Sequence, residues 1–244
     1  MQVTIGCFLE QLDDYPSGTA IVAVDVIRAS TTAITAVVNG RQCFMVPDLE
    51  TATRRRTSLA NPFMVGELGG NMPFAFDATN SPVAVTRLGQ PERPLILLST
   101  SGTRLMTAAS RATDAAFVAC LRNWEAQATA LLSSAPERVV LLGAGTRGEF
   151  REEDQVCCAW IAAKLLAAGA DADRETRDVV ERWRQSPVSV IREGKSAAYL
   201  RSSSQLDDLE FIVAHVNDLD AVFRMRDDEV RQEDRPVTKL PAAS

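Results

Sequence analysis

Short, almost wholly apolar runs, each stopping at a turn of small and hydroxyl residues, limit most tightly what this chain can become. They are AIVAVDV at 20–26, CFMV at 43–46, FMVG at 63–66, PLILL at 94–98, AAFVA at 115–119 and RVVLL at 138–142. None alternates apolar with polar, so each suits a strand covered on both faces, the normal condition in a parallel sheet. Between them lie helical patterns: 31–39 with Ser30 as a candidate N-cap and Gly40 as a stop, 48–56, a stretch after Arg104, 123–132 and 152–168. Alternation of this kind predicts an α/β fold, a three-layer α/β/α arrangement around a largely parallel or mixed sheet. The segment 171–185 is charged and helical, 211–216 and 221–225 read as two strands, and 231–244 is a polar, proline-containing tail. The expected organisation is one α/β catalytic domain over 1–230, or two intimate lobes at about 1–135 and 136–230, followed by the loose tail at 231–244.

A chain of 244 residues can bury a core without a structural metal or disulfide. The net charge of −6 argues against a nucleic-acid surface, although a few aimed cations can still hold an anionic ligand at close range. No apolar run approaches the ~18 residues of a membrane span, and the first residues lack the pattern of a secretory leader. Five cysteines without a CxxC pair fit a reducing cytoplasm. Cys157 and Cys158 fall on an apolar helix, where thiols act as small hydrophobes.

In parallel α/β sheets ligands bind beyond the carboxyl ends of strands. Three strands here end in turns whose backbone N–H groups, hydroxyls and arginines suit phosphate. The first carries Asp25, Arg28, Ser30 and Thr31; the second carries Ser99, Thr100, Ser101, Gly102, Thr103 and Arg104; the third carries Gly143, Gly145, Arg147, Gly148 and Glu149. For the first, a plain helix cap with Asp25 paired to Arg28 stands beside a ligand site. The third contains GxGxxG, but no second strand ends in an acid at the distance a dinucleotide fold needs. Glu67 ends a short strand, Asp77 lies in the long Gly/Asn/Pro-rich loop at 68–82, and Glu152, Glu153 and Asp154 follow the third turn. Carboxylates beside anion-binding turns are what Mg²⁺ requires, while first-turn acids also suit a helix dipole. The aromatics Phe74 and Phe76 argue that the long loop is ordered. Histidine-, cysteine- and aspartyl-phosphate phosphatase signatures are all missing; the single histidine, His215, sits in an apolar run and reads as core or surface. Metal-assisted hydrolysis by water remains.

The segments VDVIRASTTAITA (24–36), GELGGNMPFAFDATNSP (66–82), LSTSGTR (98–104) and GAGTRGEFREEDQVCCA (143–159) resemble, in order, the 2-phosphosulfolactate phosphatase (ComB) family. The sequence departs from the family pattern at Ser101, Ala78-Thr79 and Arg151-Glu152, which leaves the substrate open. The resemblance implies Mg²⁺-dependent hydrolysis of a small phosphorylated, sulfonated acid, a step toward coenzyme M, and a homo-oligomer. On this basis the expected metal ligands come from Asp25, Glu67, Asp77, Glu149 and Asp154. Arg28, Arg104 and the amides near Gly102 and Gly145 would hold the anions, with Asn80 and Ser81 also binding substrate, and Glu149 or Asp154 would orient water. The alternatives are a non-catalytic sensor of a phosphorylated metabolite, and a nucleotide-dependent enzyme using Gly143–Gly148.

Overall fold

The computed structural model describes residues 1–7, 12, 15–16, 18–145 and 149–233. Its strands are β1 (Gln2–Gly6), β2 (Ala20–Val24), β3 (Cys43–Val46), β4 (Phe63–Gly66), β5 (Leu95–Leu98), β6 (Ala116–Ala119), β7 (Arg138–Gly143), β8 (Asp171–Ala172), β9 (Val222–Arg226) and β10 (Glu229–Glu233). The helices are α1 (Ala29–Val38), α2 (Leu49–Ser58), α3 (Pro82–Arg87), α4 (Gly102–Ala112), α5 (Trp124–Ser134), α6 (Glu152–Ala167), α7 (Arg174–Trp183), α8 (Lys195–Ser202) and α9 (Leu206–Ala214). All six apolar runs are strands, and β2, β3 and β5 are buried throughout.

The strands form a ten-stranded sheet in the order β4-β5-β3-β10-β9-β6-β2-β7-β1-β8. Two parallel groups, β4-β5-β3 and β6-β2-β7-β1-β8, flank the antiparallel hairpin β9–β10. Three successive antiparallel pairings separate β3 from β6, so the two groups run in opposite senses. Twist accumulating at about 20–25° per strand pair turns the groups toward each other across the sheet. One face wraps α1 and α4: a single apolar cluster joins Ile34 and Leu105 to residues of β2, β3, β5, β6, β7, β9 and β10. This explains why α1 is buried over Ala29–Ala36 despite four hydroxyl residues. The opposite face is covered by α5, α6 and α7 over one parallel group and by α2 over the other. The result is a three-layer α/β/α fold.

Local chemistry sets the boundaries. Asp48 caps α2 at Thr51 N (2.7 Å), Asp173 caps α7 at Thr176 N (2.7 Å), and Gly40 ends α1 with a left-handed φ of +79°. Two expectations fail and a third holds only in part. The run at 211–216 is the end of α9, because Leu209 and Ile212 bury one helical stripe behind the first-turn acids Asp207 and Asp208. The expected tail begins too early: Arg231, Gln232 and Glu233 complete β10 against β9, and 234–244 lie outside the described residues. In the long loop Phe76 packs on the apolar cluster beneath α2, but Phe74 is fully exposed and anchors nothing. No helix among the described residues is long and apolar enough to cross a membrane.

Candidate active site

A cleft of about 240 Å³ opens where β2, β4 and β5 end, and α8 closes one side of it. Asp25, Glu67, Thr100 and Ser101 line one wall; Arg151, Lys195, Ser196 and Tyr199 line another, with Arg28 and Asn80 also exposed to it.

The acidic wall is deep. Asp25 follows β2 and is buried, its backbone N–H donating to Ser30 Oγ (2.8 Å). Its carboxylate presses on the first turn of α4, where a Cβ added to Gly102 would lie 2.0 Å from Oδ2. Behind it, α6 brings Glu153 and Asp154, both buried. Asp154 Oδ1 accepts from Val26 N (2.8 Å). Neither oxygen of Glu153 has a partner at full hydrogen-bond geometry, although the nearby Ser196 hydroxyl favours its anion. Burial raises all three acids, and repulsion from neighbouring carboxylates adds to it. Asp25 is pushed up to about 7 by burial and by the charges of Glu67 and Glu153, against the Ala29 N–H that favours its anion. Glu153 is pushed up to about 7 chiefly by burial. Asp154 is raised well above the ordinary carboxylate range by burial, then by Asp25 and Glu153.

Glu67 shapes the neighbouring turn. Its carboxylate accepts from Thr100 N (2.7 Å), Thr100 Oγ1 (2.8 Å) and Gly70 N (2.8 Å). Tyr199 Oη donates to Gly70 O (2.6 Å), tying α8 to the same loop. Arg28 does not pair with Asp25. Its Nη1 donates to Asp208 Oδ2 (2.5 Å) and Gln205 Oε1 (2.5 Å). Asp208 also accepts from Ser81 Oγ (2.6 Å), so one buried carboxylate from α9 fixes both Arg28 and the start of α3.

Of the residues expected at the site, Asp25, Arg28, Glu67, Asn80, Thr100 and Ser101 line the cleft. Asp154 stands directly behind it, against Asp25. Gly102 and Gly143 serve by lacking a side chain: a Cβ on Gly143 would meet Asp154 Cβ at 3.1 Å. That places a carboxylate beside the turn where the nucleotide alternative needs a pyrophosphate. Gly145 donates its N–H to Asp154, while Thr146, Arg147 and Gly148 lie outside the described residues. Ser30, Thr31, Ser99, Thr103 and Ser81 spend their hydroxyls on backbone and neighbouring side chains rather than on the cleft. Three placements depart from expectation. Arg104 is exposed and outside the lining, because the residue after Thr103 turns about 100° around α4. Asp77 accepts from Met64 N (2.7 Å) near the start of β4, away from the strand ends. Glu149 sits at the rim, with Oε2 bonded to Lys195 Nζ (2.6 Å) and Arg151 Nη1 (3.3 Å), apart from the buried acids. Arg151, Lys195, Tyr199 and Asp208 form the part of the site not anticipated, while Glu153 is expected only as one of the acids after the third turn. His215 stacks on Phe211 at the end of α9.

Could a divalent cation be held here? Among the described residues no three acid, histidine or cysteine side chains already converge on one point. Mg²⁺ needs only one or two carboxylates, completing its shell with water and phosphate oxygens. Asp25 and Asp154 supply two such carboxylates side by side, with the unpartnered Glu153 oxygens next to them, and the donor set therefore fits. None of the five cysteines is in a disulfide, and those on α6 are buried and raised well above their ordinary range.

Comparison with known proteins agrees with this geometry. The family described as 2-phosphosulpholactate phosphatase matches residues 8–228. A protein of Synechococcus sp. (strain WH7803) named "Probable 2-phosphosulfolactate phosphatase" is 36% identical over 182 residues, 71% of this chain and 73% of its own length. A protein of the same name from Prochlorococcus marinus (strain MIT 9313) is 30% identical over 228 residues, 83% of this chain and 93% of its own. One from Pseudothermotoga lettingae is 29% identical over 191 residues, 78% of this chain and 82% of its own. The chain belongs to the 2-phosphosulfolactate phosphatase family, whose named members are phosphoric monoester hydrolases.

Proposed function

We propose that this chain hydrolyses 2-phosphosulfolactate, or a closely similar phosphorylated hydroxy acid, to the hydroxy acid and phosphate, with Mg²⁺ on the acidic wall. The observation that carries the reading is the buried group Asp25, Glu153 and Asp154, crowded together with oxygens left unbonded. Such a group is costly unless a cation completes it. Asp25 and Asp154 would hold that cation. When bound, it would neutralise phosphoryl oxygens and make a bound water more acidic. The chain's own groups do the rest. Ser101, at the start of α4, lines the cleft and would face the phosphoryl oxygens, the Thr100 N–H being held by Glu67. Arg28, held by Asp208 and Gln205, presents its planar edge to the same cleft. Glu153, titrating near 7, can take a proton from the attacking water at physiological pH. Water oxygen bonds to phosphorus, the ester P–O bond breaks with its electron pair on the leaving oxygen, and solvent protonates that oxygen.

The test is phosphate release from phosphorylated two- to four-carbon acids, 2-phosphosulfolactate included, with Mg²⁺ and with chelator. Release with Mg²⁺ and none with chelator is the expected outcome. Tight binding of these esters with no release under either condition would leave a sensor and not an enzyme.

A further inference from the structure

The cleft's cations differ in how firmly they are committed. Arg28 and its partner Asp208 are both buried, and a pair of that kind does not exchange with a ligand without leaving a buried charge alone. Arg151 and Lys195 are held differently. Both meet a single oxygen of Glu149, whose side chain is half exposed, at the mouth of the cleft. The Lys195–Glu149 pair is exposed and of a kind worth ~0–1 kcal/mol, while Arg151, mostly buried, meets Glu149 only at 3.3 Å. Asn80 adds a second, independent feature: it is buried, lines the cleft, and its side-chain oxygen has no partner. Turned over, its amide presents N–H donors to an anion. The acidic wall, by contrast, repels any anionic group not bridged by a cation. A phosphorylated acid carrying a second negative group therefore has one favourable orientation, with phosphate toward Asp25 and the other anion toward Arg151 and Lys195.

We propose, resting on the phosphatase reading, that Arg151 and Lys195 with Asn80 form the seat for the substrate's sulfonate or carboxylate, and that Glu149 occupies this seat in the free protein as an exchangeable counter-ion. Glu149 then sets specificity by competition. A ligand anion tethered to a bound phosphate displaces it, because tethering raises the local concentration of that anion. An ester without a second anion leaves Glu149 in place and gains nothing from the pair. The Lys195 and Arg151 contacts hold the Glu149 carboxyl below its ordinary range, so it remains an anion wherever the enzyme works.

Lys195→Met and Glu149→Gln test the assignment, since both side chains lie mostly in solvent. Binding of sulfolactate is read by calorimetry, and phosphate release is compared between 2-phosphosulfolactate and glycerol 2-phosphate. Loss of one charge-assisted contact predicts roughly tenfold weaker sulfolactate binding and a similar rise in KM for 2-phosphosulfolactate in Lys195→Met. The loss should be clearly larger on 2-phosphosulfolactate than on glycerol 2-phosphate. Glu149→Gln should bind sulfolactate severalfold more tightly than the unaltered protein. Unchanged sulfolactate affinity in both variants, no sulfolactate binding by the unaltered protein, or equal loss on both esters in Lys195→Met would overturn the seat. Failure of the phosphatase reading looks different: no phosphate is released from either ester, while sulfolactate binding still follows the two substitutions.

Discussion

Replacing Asp25 by Asn should make the metal-free protein more stable and inactive at once. In the folded chain the Asp25 carboxyl titrates near 7 instead of 3.8, with burial as the main cause. At about 1.36 kcal/mol per pH unit, ionising it above pH 7 costs the fold about 4 kcal/mol. Part of that cost is shared with Glu67, Glu153 and Asp154, so removing one charge should recover roughly half, about 2 kcal/mol. The Asn side chain has the same shape, fits against Gly102, and keeps an oxygen to accept the Ala29 N–H. For a chain of this size the gain corresponds to a rise in Tm of about 4–8 °C at pH 8. The sign depends on pH. Near pH 4 the folded Asp25 is already protonated, so the gain should be small and should grow as pH rises through 7. Thermal unfolding of both proteins across pH 4–8 without divalent cation, followed by circular dichroism, reads this directly. A variant no more stable than the unaltered protein at pH 8, or a gain equal at pH 4 and pH 8, would refute the idea that Asp25 is held as a costly buried charge.

The other expectations concern the same wall and its supports. In the unaltered protein, Asp25, Glu153 and Asp154 bind protons more tightly folded than unfolded, so stability should fall as pH rises from about 4 toward 7, and Mg²⁺ should restore it above 7; a flat Tm profile would contradict this. Gly102→Ala would put a methyl 2.0 Å from Asp25 Oδ2, which should cost about 1–3 kcal/mol by urea unfolding and abolish most phosphate release. Asp208→Ala would strand the buried Arg28 guanidinium and should cost about 3–5 kcal/mol, measured the same way.

The layers of the fold were legible because six apolar runs are buried on both faces and say so without help from distant residues. What could not be read was their order. QVTIG at the start is a short strand whose only fully buried side chain is Val3, and EVRQE owes its place in the sheet to pairing with β9 and β3 rather than to apolar content. The site divides the same way. Asp25, Thr100 and Ser101 follow strands, where chemistry beyond carboxyl ends is expected. Lys195, Tyr199 and Asp208 come from helices whose charges look like ordinary solvated surface, and Asp208 meets Arg28 across 180 positions of chain. Arg104 misled because the Gly-Thr-Arg pattern recurs, although helix geometry aims it outward. Glu149 misled because acids after a turn look alike in sequence, while their neighbours in space decide whether they face buried carboxylates or surface cations.

The hairpin of β9 and β10 has a consequence for biosynthesis. The two parallel groups, which both contribute to the acidic wall of the cleft, are joined in the sheet, among the described residues, only through residues 222–233. A growing polypeptide can make α1, α4 and both groups of strands long before that hairpin emerges from the ribosome. It then holds two incomplete sheets, each with an open inner edge, and Asp25 beyond β2 is not yet fixed beside the turn after β5. The last pair of strands acts as the keystone, and a chain cut short before Met225 should leave α1 and α4 packed between two sheets whose unpaired inner edges invite aggregation.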